Sequence, residues 1–424
     1  MVTLTGQFTN GSYSLKTHLY QASELLPSLS PGLQAVLDDM ALGNGNSPFL
    51  KKVLTNIATK NPDLAAKTIE SAARLATLAA APQTAMLAAT AATTGPMQRL
   101  TVGPTTSNSA VMVQRVNGAV NRSDGPIRHA DGTVDRASDR TIGTGVALWV
   151  TPIYQSQEGW GMKSGNFKTG WNADLGGVAL GGDVSFDSRF RVGATMQIGG
   201  GYAKGSGDLA STENSVSFWG LGAYAGVSGD QTLLAMDINY TRVSNSLKQQ
   251  LPGEMSEGAL TADVLTHAIS VGLRGEYKFE TSVADIVGHT GIRYLRLMTD
   301  GYNVKGSDGD VLKAEGNAQS IWSFPTGVTF SKNVALQNGW YLKPSAGMSI
   351  IPSVGDLSAK TTVRFTGTNR SADLDAETAD GMAYQGTLGA EVGNEFLKVG
   401  LNYFLTVSNR TASHAGQLNI RYEF

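Results

Sequence analysis

The residues best suited to chemistry are few and far apart. Across 424 residues there are five histidines and no cysteine, which removes thiol catalysis, disulfides and thiolate metal sites together. His18, His129, His267, His289 and His414 show no metal-ligand spacing. Asp308 and Asp310, two apart in a polar stretch, are compatible with calcium and equally with a solvated loop. Gly355-Asp356-Leu357-Ser358 sets a serine beside an acid, but no GxSxG elbow accompanies it. The glycines of GLGAYAG at 220–226 have the wrong spacing for a dinucleotide loop and fall inside a strand-like run. Paired acids with a neighbouring histidine cannot be assembled, so the expectation is a protein that is not an enzyme and needs no cofactor or metal. A net charge of −2 gives no electrostatic case for nucleic acid.

The elements that must position these side chains have a two-residue period. The chain ends on QLNIRYEF, with Leu418, Ile420, Tyr422 and Phe424 alternating with Gln417, Asn419, Arg421 and Glu423. In 265–279, Leu265, Ile269, Val271, Leu273, Tyr277 and Phe279 share a face opposite Thr266, Ser270, Arg274, Glu276 and Lys278. About twelve such runs follow residue 145, many of roughly a dozen residues, longer than the usual soluble strand. A tilted strand needs about nine to eleven residues to cross a bilayer. Short links near 187–189, 228–231, 280–282, 332–339 and 393–395 alternate with long polar stretches near 157–170, 205–213, 245–262, 299–315 and 354–379. That sorting is what an outer-membrane barrel shows. Two aromatic girdles are expected: Phe186, Phe190, Tyr277, Phe279, Phe330, Trp340, Tyr422 and Phe424 at the short-turn rim, and Tyr154, Tyr202, Tyr240 and Tyr294 towards the other. The predicted fold class is an all-β membrane barrel of about twelve antiparallel strands.

Upstream the texture differs. Residues 1–46 contain β-like sequence and read as the end of a passenger or a stub; 47–100 as a helical linker and pore helix; 101–143 as a flexible linker; 144–424 as the barrel. Ser47-Pro48 and Asn61-Pro62 place a capping side chain before proline at the first helical position. The start, MVTLTGQFTN, lacks a signal-peptide pattern, so a fragment of a longer precursor is expected.

Three blocks, in order, carry a resemblance: AARLATLAAAPQTAMLAATAA at 72–92, LGGVALGGDVSF at 175–186 with Gly177, Gly181, Gly182 and Asp183, and the terminal LNIRYEF. Over 62–424 the chain resembles the translocation domain of the autotransporters (type V secretion). The resemblance implies a twelve-stranded barrel in the bacterial outer membrane, a helix threaded through its lumen, both barrel ends at the periplasmic rim, and a secreted passenger N-terminal to the helix. The 101–143 linker is longer than the family pattern. The asparagine pair at which some members cut themselves has no counterpart in TAMLAATAATTGPMQRL, so no self-cleavage is expected there.

Two sets of site residues follow. Leu418, Ile420, Tyr422 and Phe424 are the expected assembly signal, an extended segment that strand addition can capture. Arg274, Glu276, Lys278, Asp285, Arg293, Lys343, Glu391, Lys398, Arg421 and Glu423 are the expected lumen lining, a mixed-charge wall along which a polypeptide slides. The implied partners are outer-membrane lipid, the barrel-assembly machinery with periplasmic chaperones, and the chain's own passenger, with the barrel a monomer. The function expected is a translocator that exports its passenger without nucleotide hydrolysis; a passive porin or an adhesin barrel is the alternative.

Overall fold

The computed structural model describes residues 2–9, 12–19, 21–75, 127–128, 134–135 and 146–423, apart from positions 165, 187–189, 229–230, 256–257, 282 and 395 in its turns. The linker 101–143 and the predicted pore-helix residues 76–98 lie almost entirely outside the described residues.

Twelve antiparallel strands close into a barrel. They are β1 (Val146–Ser164), β2 (Phe167–Phe186), β3 (Phe190–Gly207), β4 (Thr212–Ser228), β5 (Thr232–Gln250) and β6 (Ala259–Glu280). The circuit continues with β7 (Asp285–Thr299), β8 (Asn317–Ser323 and Thr326–Ser331), β9 (Tyr341–Gly355), β10 (Met382–Gly393), β11 (Leu397–Ser408) and β12 (Thr411–Glu423). β12 pairs back onto β1 from Thr411↔Gly159 to Glu423↔Ala147, so no edge is left unpaired. Strand β8 breaks at Phe324-Pro325 because proline has no N–H to give the ladder. Gly291 N donates to Pro325 O and Phe324 N to Pro352 O, which keeps the wall continuous there.

The sequence placed long loops where the structure has strand. β6 runs 22 residues, about 73 Å of chain, or about 55 Å of height at a tilt near 40°. The hydrocarbon core needs only about 30 Å. The predicted loops 157–170, 205–213 and 245–262 are the upper ends of β1 to β6. The stretches 299–315 and 354–379 contain hairpins Tyr302–Gly306/Gly309–Ala314 and Ser358–Phe365/Ala372–Glu377. The hairpins pair with each other at Leu312↔Phe365 and with β6 at Thr261↔Lys305, so they continue the wall upward into a vestibule. Polar outer faces made these segments look like loops, although alternation persists through them.

Helical structure begins at Ala22 rather than near residue 47. Four helices, α1 (Ala22–Leu25), α2 (Pro31–Ala41), α3 (Pro48–Val53, continued by a π-turn over Leu54–Ala58) and α4 (Pro62–Ala73), occupy the vestibule. In α2, Leu33, Val36, Leu37 and Met40 stand at helical spacing behind Ser30-Pro31, a readable signal that the sequence analysis missed. The expected caps are present: Ser47 accepts from Leu50 N and Asn61 from Leu64 N at 3.0 Å. Residues Val2–Thr9 and Ser12–Leu19 form a separate hairpin.

Candidate functional site

Strand β5 shows how one strand builds two compartments. Near the short-turn rim its outward residues are Leu234, Met236, Ile238 and Tyr240, and its inward ones Asp237, Asn239 and Thr241. Above that level the faces exchange character. Arg242, Ser244, Ser246 and Lys248 point out, while Val243 is buried on the inward face and Leu247 joins a buried apolar core. β6 repeats the change, with Leu260, Ala262 and Val264 inward at the vestibule and Thr266, Ser270 and Arg274 inward below. Apolar outside and polar inside suits a hydrated pore in lipid; the inverse suits a packed core in water.

In the lower compartment the predicted lining residues other than Glu423 lie on inward positions, and most of them form local pairs. Arg274 binds Glu276, and Lys278 Nζ lies 3.4 Å from Asp285. Arg293 grips Asp237 through both terminal nitrogens at 2.8 and 3.0 Å and reaches Ser270 at 2.8 Å. Glu391 accepts from the Tyr341 hydroxyl at 2.7 Å, and Lys343 and Lys398 alternate inward on β9 and β11. Arg421 holds Asp183 with two bonds of 2.9 Å. Asp183 also takes the Tyr224 hydroxyl at 2.8 Å and lies 3.2 Å from Arg191, and Trp149 Nε1 donates to Tyr224 at 3.2 Å. This cluster joins β1, β2, β3, β4 and the closing strand β12. The lumen list contained neither Asp237, Arg191 nor Tyr224. A lone acid or arginine inside an alternating run was the available signal. Tyr224 lies over Gly193, where a Cβ would stand 2.2 Å from its ring.

Leu418, Ile420 and Tyr422 face outward on β12, with Tyr422 46% exposed. Phe424 lies outside the described residues, as does the side chain of Glu423. Of the expected girdles, Phe190, Tyr277, Phe279 and Phe330 are exposed below and Tyr154 and Tyr202 above, and Trp219 and Trp322 add to the upper ring.

The upper compartment is filled by the chain's own helices. Leu33, Leu50, Val53, Ile57 and Ile69 pack against Leu260, Val264, Val304, Leu312, Val363 and Phe365 in one core. Phe49 stacks on Phe365 with centroids 6.0 Å apart. Fully buried Glu70 accepts from Arg74 Nε at 2.6 Å and from Ser30 N at 3.1 Å, and Arg74 donates to the Asp375 carbonyl at 2.6 Å. Those bonds tie α4 both to α2 and to the vestibule wall. Asn46 N donates to Gly367 O at 2.6 Å; Gly367 has φ +85° and a Cβ there would stand 2.3 Å from Asn46 O, so only glycine allows the approach. Lys52 pairs with Asp308 and holds its carboxyl below the usual range, and burial pushes the Tyr302 phenol up.

Some of the residues with catalytic side-chain types have partners in the wall and its loops. His289 Nε2 lies 3.0 Å from Ser349 Oγ in the lumen wall. Asp356 accepts from Ser320 N, and Asp310 from Asn303. Among the described residues no three metal-ligating side chains come together.

A family model for the autotransporter beta-domain matches residues 148–403. The chain belongs to the autotransporter β-domain family. The barrel of this autotransporter domain is similar to the translocator domain of NalP from Neisseria meningitidis (TM-score 0.51, 18% identity, covering 75% of this chain and 97% of that one). It is also similar to the β domain of the Bordetella autotransporter BrkA (0.45, 18%, 65% and 98%) and to the transport unit of AIDA-I from Escherichia coli (0.46, 13%, 72% and 97%). No curated protein sequence matches significantly. Autotransporter β-domains are outer-membrane barrels, and this chain supplies such a barrel with four helices at its N-terminal side.

Proposed function

We propose that this chain is an outer-membrane translocator unit that exports and then anchors its own N-terminal passenger, with no catalysis of its own and no nucleotide. The observation that carries this reading is the position of the helices. They pack at the vestibule end of the barrel, with Leu75 buried in that core, whereas β1 begins at Val146 beside the opposite, short-turn rim. With short turns in the periplasm, helices α1 to α4 stand at the outer end of the lumen and the start of β1 at its periplasmic end, as a passage through the lumen requires. The mixed-charge wall hydrates that passage without trapping a sliding chain. Folding of the exported segment, together with barrel assembly, supplies the direction.

In this reading Leu418, Ile420, Tyr422 and Phe424 present the last strand to the insertion machinery, chaperones keep the chain soluble beforehand, and the finished barrel is a monomer. The deciding experiment places an epitope at the N-terminus and probes intact cells with antibody and protease. Epitope at the surface, with the barrel in the outer-membrane fraction, is the expected result. An inserted barrel whose epitope remains in the periplasm refutes export.

A further inference from the structure

The outer surface of the barrel is uneven in charge at the level where its apolar band ends. On most strands the outward residues at that level are neutral, such as Tyr154 and Ser156 on β1, Ser217 on β4 and Val407 on β11. Strands β5, β6 and β7 instead place Arg242, His267 and Arg296 there. The register sets Trp219, Arg242, His267 and Met298 in one row, and Tyr240, Ile269 and Arg296 in the next row down. Neighbouring strands are about 4.8 Å apart, so the cationic groups crowd a patch roughly two strands wide.

The surroundings of the patch are those of an anion site rather than of an ion-pair network. Both arginines are exposed. Arg296 donates to Ser320 Oγ at 3.1 Å and lies against the Tyr294 hydroxyl, and no carboxylate lies within ion-pair distance of either guanidinium among the described residues. The acids facing the patch are on its upper side. Asp300 stands 3.7 Å from His267, and Asp356 is engaged by Ser320 N at 2.9 Å. Aromatic rings frame it: Trp219 packs edge-on to Tyr240, whose hydroxyl meets His267 Nδ1 at 2.7 Å, and Tyr294 packs against Trp322. A second Tyr–His pair, Tyr403 with His414, sits on β11 and β12 without any arginine on those strands' outward positions beside it. Directly below the patch the wall is apolar, with Leu221, Ile238, Val271 and Leu273 exposed.

An arginine at this depth can extend its stem and reach water, and one alone needs no further account. Arg242 and Arg296 stand two strands apart with no acid between them, so an anion placed between them is attracted by both. The surface combines guanidinium forks for phosphate, flat aromatic faces for sugar rings, and greasy wall for acyl chains. We propose that this face binds the phosphorylated sugar headgroup of an outer-leaflet glycolipid, with Arg242 and Arg296 on the phosphate and Trp219 and Tyr240 against the sugar. The assignment rests on reading the helix-filled end of the barrel as the outer side.

The test uses the full chain folded into phosphatidylcholine vesicles that carry either phosphorylated lipid A or phosphatidylglycerol. Bound lipid is quantified by mass spectrometry after capture of the protein. Selective retention of lipid A is expected, reduced about tenfold in R242A/R296A, largely kept in R242K/R296K, and unchanged in K248A, which lies above the patch on the same face of β5. Free inorganic phosphate should not compete efficiently, because it lacks sugar and acyl contacts. Equal retention of phosphatidylglycerol, equal binding of dephosphorylated lipid A, or full binding by a folded R242A/R296A barrel each overturns the proposal. A barrel that inserts normally yet shows no lipid preference sinks this site alone. A chain that does not insert at all sinks the membrane reading beneath it.

Discussion

Asp183 accepts from Arg421 and Tyr224, lies beside Arg191, and is itself buried. Removing one partner of a buried charge cluster leaves the others uncompensated, which costs more than the pair contributes. Asp183→Ala is therefore expected to destabilise the folded barrel by about 3–5 kcal/mol, read as a lower unfolding temperature on heated gels in detergent. The outward residues of β12 behave differently, because they touch lipid rather than partners. Deleting Phe424 or replacing Tyr422 with serine should leave the unfolding temperature of assembled barrel nearly unchanged while reducing the amount assembled. A normal yield in insertion assays with either change would remove the assembly-signal reading.

At the scale of elements, the helices and the upper wall share one core. Leu50 is fully buried within it, and Leu50→Ala should cost about 2–5 kcal/mol of that docking. The membrane wall below should not notice. The expected signature is faster proteolysis of the helical segment with unaltered heat resistance of the barrel; loss of both would mean that the two compartments fold as one. Tyr302 adds a pH dependence whose sign is fixed by burial. Its phenol ionises at higher pH in the folded state than in the unfolded one, so its contribution is complete below about pH 10, the ordinary tyrosine value, and declines as pH rises further. Protease sensitivity of the helices should increase in alkali, and Y302F should be less affected than the parent.

For the whole molecule, the upper end of the lumen is filled by the chain's own helices. A twelve-stranded cylinder has a bore on the order of 10 Å, about one helix wide. Removing residues 22–98 should convert a barrel of low conductance in planar bilayers into an open channel, and Leu50→Ala should give intermediate, flickering openings. Unchanged conductance after the deletion would mean that the wall, not the segment, closes the lumen. The same architecture favours an anchor over a freely conducting porin, since the core between helices and wall is as apolar as a domain interior.

Much of this was readable from local pattern. Period-two alternation, the proline-led caps at Ser47 and Asn61, and the closing strand with its outward Leu418, Ile420 and Tyr422 depend on backbone geometry within a few residues. That geometry sets the side-chain period whatever the rest of the chain does. Other features had to wait for three-dimensional closure. Asp183 and Arg421 lie 238 positions apart, and only the β12–β1 seam brings them together. The polar outer face of 245–262 reads as loop, whereas the helices pack behind its inward Leu247, Leu260 and Ala262. Alternation reports that two faces differ, but it does not say which medium each face meets. That is decided by what packs on the other side.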